Sequence, residues 1–331
     1  MSQILDEHRR RVYNTPNLYT RIDSRNIPPA TSELRMFVIA RNESLRLPYF
    51  MDYYFKLGVD RVFLIDNDST DNTIDIALSY DNVHVFNIEE GYRHSWYWME
   101  YFLETYGKDS WCVVVDVDEL VFYPHGEQVD LKELITYFDL HGFTAIRSLL
   151  LDMFSDKPVK DTVYIAGQDP LEICQYYDTD YFVKNVGFFD NKNQEMYSNE
   201  VYIGGVRNKV FGKWEFYLSK IPIFKFSDDT YLNIGMHAIN RAKIADIRGV
   251  VFHTKFMHDF IQDAEIQAQR EEFSQDSIEP KLYHSYLVQK PDLTMKDATS
   301  IKYKDSNQLI RYGLMKSSPN FDGYVRYIKE K

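Results

Sequence analysis

The sequence predicts an α/β protein built on a mostly parallel sheet flanked by helices. Three observations carry that expectation. Short apolar runs alternate with helical segments from Leu34 onward, as in successive βαβ units. The runs are apolar throughout, as strands covered by helices on both faces are. Each run also gives way to a polar, mostly acidic cluster, and in such sheets ligands bind outside the carboxyl ends of the strands.

Residues 36–40 form the first expected strand and 45–57 the first helix, closed by Gly58. The pattern continues with a strand at 61–66, a helix at 72–79, a strand at 83–88, a helix at 94–106 and a strand at 111–115. Ahead of them, residues 1–33 are polar, show no helical or strand periodicity and contain Pro28-Pro29, so they read as an arm. Beyond Asp118 the alternation weakens: residues 125–255 mix short strands and turns with one helix at 131–140. A charged amphipathic helix at 260–273 follows, and the tail to Lys331 alternates polar turns with Tyr-rich segments. There is no internal repeat and no low-complexity tract.

Composition narrows the function. The 331 residues, 44% hydrophobic and 27% charged, suffice for one large domain or two small ones. A net charge of −12, with no basic stripe beyond Arg9–Arg11, excludes nonspecific binding to nucleic acid. Cys112 and Cys174 read as core residues, since neither has a partner at metal-ligand spacing. No apolar stretch approaches the roughly 18 residues needed to cross a bilayer, and the first residues lack a secretory pattern, so a cytoplasmic protein is expected. The helix at 260–273 carries Asp263, Glu265, Glu271 and Glu272 against Arg270, which limits membrane contact to transient encounters.

The strand ends bring together Arg41-Asn42-Glu43, Asp66-Asn67-Asp68, the segment 89–93, and Asp116-Val117-Asp118-Glu119. Asp116 and Asp118 stand two residues apart just past a buried run, and in an extended chain that spacing turns both carboxylates to one side. Two hard oxygen ligands facing one point suit Mg²⁺ or Mn²⁺, which complete their octahedra with phosphate and water. Mutual repulsion in such a cluster implies that losing Asp118 leaves the fold intact. The segment Asp-Ser-Thr-Asp (68–71) is also good N-cap chemistry for the next helix.

The blocks VIARNES (38–44), LIDNDSTDNT (64–73) and VVVDVDEL (113–120) resemble family-two-type glycosyltransferases of the GT-A fold, in particular the bacterial branch of capsule and surface-polysaccharide assembly. GGVRNKVF (204–211), GMHAI (235–239) and VFHTKFMHDF (251–260) resemble that branch's later blocks. The resemblance implies a GT-A domain with a nucleotide-sugar-binding half at 34–124, an acceptor-binding half at 125–258 and a C-terminal helical extension at 259–331. It implies that Ala40, Arg41, Asn42 and Glu43 border the nucleoside, that Asp66 and Asp68 lie near base and ribose, and that Asp116 contacts ribose or metal. Asp118 would be the main metal ligand and His253 a third metal or diphosphate contact, with His237 on the acceptor side. The partners implied are a nucleotide-sugar donor, read as a UDP-sugar, and a glycan acceptor, lipid-linked ones included.

Arg207 and Lys209 follow Gly204-Gly205, a flexible turn suited to laying cations on phosphate. Inverting transfer needs a base for the acceptor hydroxyl. Asp152, ending an apolar run in LLLDMFS, is the first choice and Glu172 the second. Two other activities compete: a sugar nucleotidyltransferase, whose first loop is usually glycine-rich where ARNESLRLP has no glycine, and a non-catalytic calcium-dependent carbohydrate-binding protein. An EF-hand at 66–77 is excluded, because its sixth position is Asp71 and its twelfth Ala77.

Overall fold

In the computed structural model, residues 2–30, 33–212, 216–233, 235–272 and 274–331 are described. The strands are β1 (Tyr19–Arg21), β2 (Arg35–Ala40), β3 (Arg61–Asp66), β4 (Val83–Ile88), β5 (Trp111–Val114), β6 (Glu119–Phe122), β7 (Ala145–Asp152), β8 (Tyr176–Tyr177), β9 (Tyr181–Asp190), β10 (Glu195–Gly204), β11 (Ser219–Lys225), β12 (Tyr231–Asn233), β13 (Ala238–Asn240), β14 (Ile244–His253) and β15 (Ile301–Lys302). The α-helices are α1 (Ser2–Asn14), α2 (Leu47–Leu57), α3 (Thr73–Leu78), α4 (Ser95–Phe102), α5 (Leu131–His141), α6 (Gly205–Phe211), α7 (Phe260–Arg270), α8 (Ser274–Gln289), α9 (Ser306–Arg311) and α10 (Pro319–Lys329).

One sheet dominates, ordered β1-β4-β3-β2-β5-β11-β7-β14-β6. β4, β3, β2 and β5 are parallel neighbours. Beyond β5, β11 runs against both its neighbours, β14 lies parallel to β7, and β6 closes the edge antiparallel to β14. β4, β3, β2, β5, β7 and β14 thus share one direction, and the fold is the α/β, mostly parallel sheet that the apolar runs imply. Its carboxyl ends form one edge that collects Ala40, Asp66, Asp152 and His253.

The apolar runs exist because both faces of the sheet are covered. On one face Met36, Val38, Val62, Leu64 and Val113 pack against α2 and α5; on the other Phe37, Phe63, Phe86 and Val114 pack against α4 through Trp98, Met99 and Phe102. Gly58 closes α2 at φ 111°, a left-handed cap that a side chain would resist. A capping box between Asp130 and Glu133 starts α5.

The arm is structured, contrary to the absence of periodicity in residues 1–33. α1 packs on α4 with His8 and Val12 buried, and the 3-10 turn after it, Thr15–Asn17, adds buried Thr15; hydrophobicity hides this spacing because two of the three are polar. β1 pairs antiparallel with β4. The expected helix at 94–106 divides into α4 and a π turn at Leu103–Gly107. The helix expected over 260–273 stops at Arg270, where Glu271 takes φ 52°; its expected end, Phe273, lies outside the described residues. Gly204 and Gly205 are not a flexible turn. They hold φ 111° and 64°, and added side chains would run into Asp180 O at 2.4 Å and the Tyr181 ring at 2.5 Å. Arg207 and Lys209 consequently sit on a helix rather than on a loop free to reach phosphate.

Candidate active site

The first two strand-end loops hold each other. Asn42 stands at φ 56°; its backbone N–H donates to Ser69 Oγ at 2.9 Å, and its Oδ1 accepts from Thr70 N at 2.7 Å. Glu43 N donates to Thr73 Oγ1 at 2.8 Å, Ser44 N donates to Asp71 Oδ2 at 3.0 Å, and Arg41 Nη1 donates to Asn67 O at 2.7 Å. Asp71 also accepts from Thr73 N at 3.0 Å, so its place is structural. Asp66 is fully buried. Its Oδ2 accepts from Ser69 N at 3.0 Å and Asn87 Nδ2 at 2.8 Å, while Oδ1 has no partner among the described residues. Asp68 is exposed at φ 59° on the turn beyond.

Asp116 and Asp118 line one cleft but take different partners. β5 ends at Val114, and Glu119 N donates to Asp116 O at 3.1 Å, so the pair sits in a turn where the alternation of an extended chain no longer applies. Asp116 is half-exposed and takes Lys220 Nζ at 3.0 Å; that ammonium also meets the buried Glu119 at 2.7 Å. Burial pushes Glu119 up to about 7 against the pull of Lys220, while the same two carboxylates outweigh the burial of Lys220 and raise it. Asp118 turns instead to His253, with Oδ2 at 3.1 Å from Nε2.

His253 arrives through sheet register. β14 beside β7 sets His253 opposite Asp152, and β6 on its other side sets it opposite Glu119. Its Nδ1 lies 2.7 Å from Asp152 Oδ1. Arg207 Nη2 is 2.9 Å from the same nitrogen, but an Nδ1–H has no lone pair left, so the hydrogen bond belongs to Asp152. Arg207 itself grips Asp152 with two bonds of 2.8 Å from Nε and Nη2. Burial would raise Asp152; Arg207 and His253 reverse that and hold it at about 2. Burial likewise opposes ionisation of Asp118, and His253, Lys255 and Arg46 hold it well below the usual carboxylate range. His253 is raised, since its two carboxylates overcome its burial.

Asp152 is therefore not placed as a base open to an acceptor. It is fully buried and both its oxygens are occupied, so it fixes the imidazole with Nε2 toward Asp118. Glu172 is exposed on the turn Pro170–Glu172, outside the cleft lining. Lys209 pairs with Asp178 and Asp297, away from that lining. His237 lies in a turn with Nδ1 2.6 Å from Ser219 O; burial and nearby Lys220 press it down to about 3, so it is neutral.

A cleft of about 220 Å³ joins these parts, lined by Ala40, Arg41, Asn42, Glu43, Asp116, Asp118 and His253 among the expected residues. Its far wall is α7, with Asp263, Gln267 and Arg270. Arg46 ties that wall down through both oxygens of Asp259, and Lys255 and Tyr92 complete the lining. Arg46 and Asp259 carry no local signal, being 213 residues apart. Lys255 stands in the block VFHTKF two residues after His253, a cation at motif distance from a candidate ligand and so within reach of sequence reasoning.

The residues present fit a divalent ion in a particular way. Among the described residues no three His, Cys, Asp or Glu side chains converge on one point. Asp118 and His253 Nε2 do face each other, and Mg²⁺ or Mn²⁺ commonly takes few protein ligands and completes its shell with substrate phosphate and water. Among the described residues no helix is long and apolar enough to cross a membrane.

None of the curated proteins matches the chain. Among solved structures it is similar to glucosyl-3-phosphoglycerate synthase from Mycobacterium tuberculosis, in complex with Mn²⁺, uridine diphosphate and glucosyl-3-phosphoglycerate, at 18% identity over 37% of this chain and 45% of that one (TM-score 0.26). It is also similar to 4-diphosphocytidyl-2C-methyl-D-erythritol synthase from Anaerococcus prevotii, at 12% identity over 85% of this chain and 96% of that one (TM-score 0.25). The chain thus spans under half the length of the mycobacterial synthase. The segment that builds the parallel strands β2 to β5 and the Asp116–Asp118 turn, residues 36–145, matches the family model described as Glycosyl transferase family 2.

Proposed function

We propose that this chain transfers a sugar from a nucleoside diphosphate sugar, read as a UDP-sugar, to a carbohydrate hydroxyl, with Mn²⁺ or Mg²⁺ as cofactor. One observation carries the reading: Asp118 and an imidazole oriented by Asp152 face each other at the mouth of a cleft whose floor is the segment that matches the family 2 model. Asp118 and His253 would hold the ion, which when bound neutralises charge gathering on the departing diphosphate. Lys255 and Arg270 add cationic groups to the cleft lining. Arg41, Asn42 and Glu43, with Asp66 behind them, are the proposed nucleoside border. Asp152 and Arg207 act by positioning His253.

The acceptor is proposed to be a glycan of surface-polysaccharide assembly, lipid-linked glycans included, met in the cytoplasm with at most transient membrane contact. Its support is the resemblance of residues 34–260 to that branch. Thermal shift against a panel of nucleotide sugars with and without Mn²⁺ tests the donor. A ligand at about a hundred times its dissociation constant should stabilise the chain by roughly 2.7 kcal/mol, and only when the metal is present. Stabilisation by nucleoside triphosphates and by no diphosphate sugar would overturn the reading in favour of nucleotidyl transfer.

A further inference from the structure

We infer that an apolar chamber beside the donor cleft receives an apolar substituent of a sugar, the methyl of an acetamido or 6-deoxy group, an inference that rests on the glycosyl transfer proposed above. The chamber, about 90 Å³, lies on the α4 face of the sheet, walled by Trp96, Met99, Leu103, Val114, Leu232 and Met236. It is not an isolated packing defect. Ile39, Tyr92 and Asp116 line both the chamber and the donor cleft, so the two spaces adjoin at Asp116.

Most of its exposed wall is apolar side chain, and Asn233 and Thr230 on it are turned to other partners. Asn233 Nδ2 donates to Phe189 O at 3.2 Å, and Thr230 Oγ1 bonds Ser227 N at 3.2 Å and Ser227 Oγ at 2.9 Å. Glu100 lies 2.8 Å from His8 Nε2 beneath α1. A sugar hydroxyl pushed into this space would lose its water and find few partners, which is costly, whereas a methyl group there is simply removed from water. Binding sites are commonly apolar chambers with polar groups at the rim, and here the rim is the half-exposed Asp116. The chamber therefore selects methyl-bearing sugars over their hydroxyl counterparts. The substituent could belong to the donor or to the acceptor, and the two are separated by experiment.

Titration calorimetry of the full chain with Mn²⁺ would compare UDP-N-acetylglucosamine with UDP-glucose and GDP-rhamnose with GDP-mannose. With UDP bound, it would compare glycans ending in N-acetylglucosamine with those ending in glucose. The methyl-bearing member of at least one set should bind about tenfold tighter or more, the discrimination that small apolar groups confer. Preference among nucleotide sugars assigns the chamber to the donor, and preference among glycans assigns it to the acceptor. Leu232→Trp, which fills the chamber from β12, should abolish the preference while UDP binding is kept. Equal affinity within every set, or a preference that survives Leu232→Trp, would overturn the chamber. Should Leu232→Trp lose UDP binding altogether, Leu232→Ala, which loosens the same wall, should lower the preference about threefold or more, and an unchanged preference there would again overturn it. Failure of the wild-type chain to bind any nucleotide or nucleotide sugar would instead overturn the glycosyl-transfer reading.

Discussion

The two halves of the sheet treat their polar groups differently. Around β2 and β3 the cleft-lining ones, Arg41, Asn42 and Glu43, sit on loop tips that are bonded to one another across two turns, while Asp66 is buried at the end of β3. Around β7 and β14 they lie inside the protein: Asp152, Arg207 and His253 are all buried and satisfy one another. The contrast teaches that substitutions in the first half should change what binds, whereas those in the second should change whether the site exists.

The largest effect should come from the buried ion pair. Arg207→Met leaves Asp152 ionised without its bidentate partner and should cost roughly 3–5 kcal/mol, read as a lower urea midpoint. The double variant Arg207→Met with Asp152→Leu removes both charges and should recover much of that stability while transfer stays lost. If the double variant is as unstable as the single, the pair is not what holds this half. Next comes Asp118, at the seam of the two halves: Asp118→Asn should lower turnover about a hundredfold or more and abolish the Mn²⁺-dependent thermal shift. Contrary to the repulsion expected from its acidic surroundings, its depressed pKa marks a carboxylate stabilised by His253, Lys255 and Arg46. That stabilisation is fully present above the ordinary Asp value of about 4 and is lost as pH falls below it, so the variant should be less stable than wild type at pH 7, with the gap closing in acid. A variant as stable as wild type at pH 7 would contradict this. The smallest effect belongs to the first half. Asp68→Gly relieves an exposed left-handed residue and should stabilise by at most about 1 kcal/mol. If Asp68 touches the nucleoside, the Kd for UDP rises; if it only turns the chain, the Kd stays.

The parallel half was legible because its signals are local. Strands β3 and β4 have the bounds that their apolar runs imply, since covering both faces of a strand requires unbroken hydrophobicity. The Asp116–Asp118 motif was legible in place, although a turn rather than a strand carries it. α1 escaped notice because a polar residue, His8, shares its buried face with Val12. The base assignments to Asp152 and Glu172 rested on position in the chain. What sets Asp152 behind His253 is the pairing of β7 with β14, a relation across 101 residues that no sequence window contains. The tie of Arg46 to Asp259 is longer still.

That tie has a consequence for how the protein comes into being. The cleft's floor is complete once β5 and the Asp116–Asp118 turn have emerged from the ribosome, but its far wall, α7, is fastened there by Asp259 gripping Arg46 and by the Glu272 carboxylate accepting from Tyr92 N at 3.1 Å. At ordinary synthesis speeds of about 5–20 residues per second, the stretch from Asp118 to Asp259 separates floor from wall by on the order of ten seconds. Through that interval a nascent chain presents an acidic edge without the wall that α7 supplies, so the proposed nucleotide ligand would lend it less stability than it lends the finished protein. Chains truncated before α7 would stay in that state permanently, so an intact carboxyl-terminal third is a condition for full ligand rescue of folding.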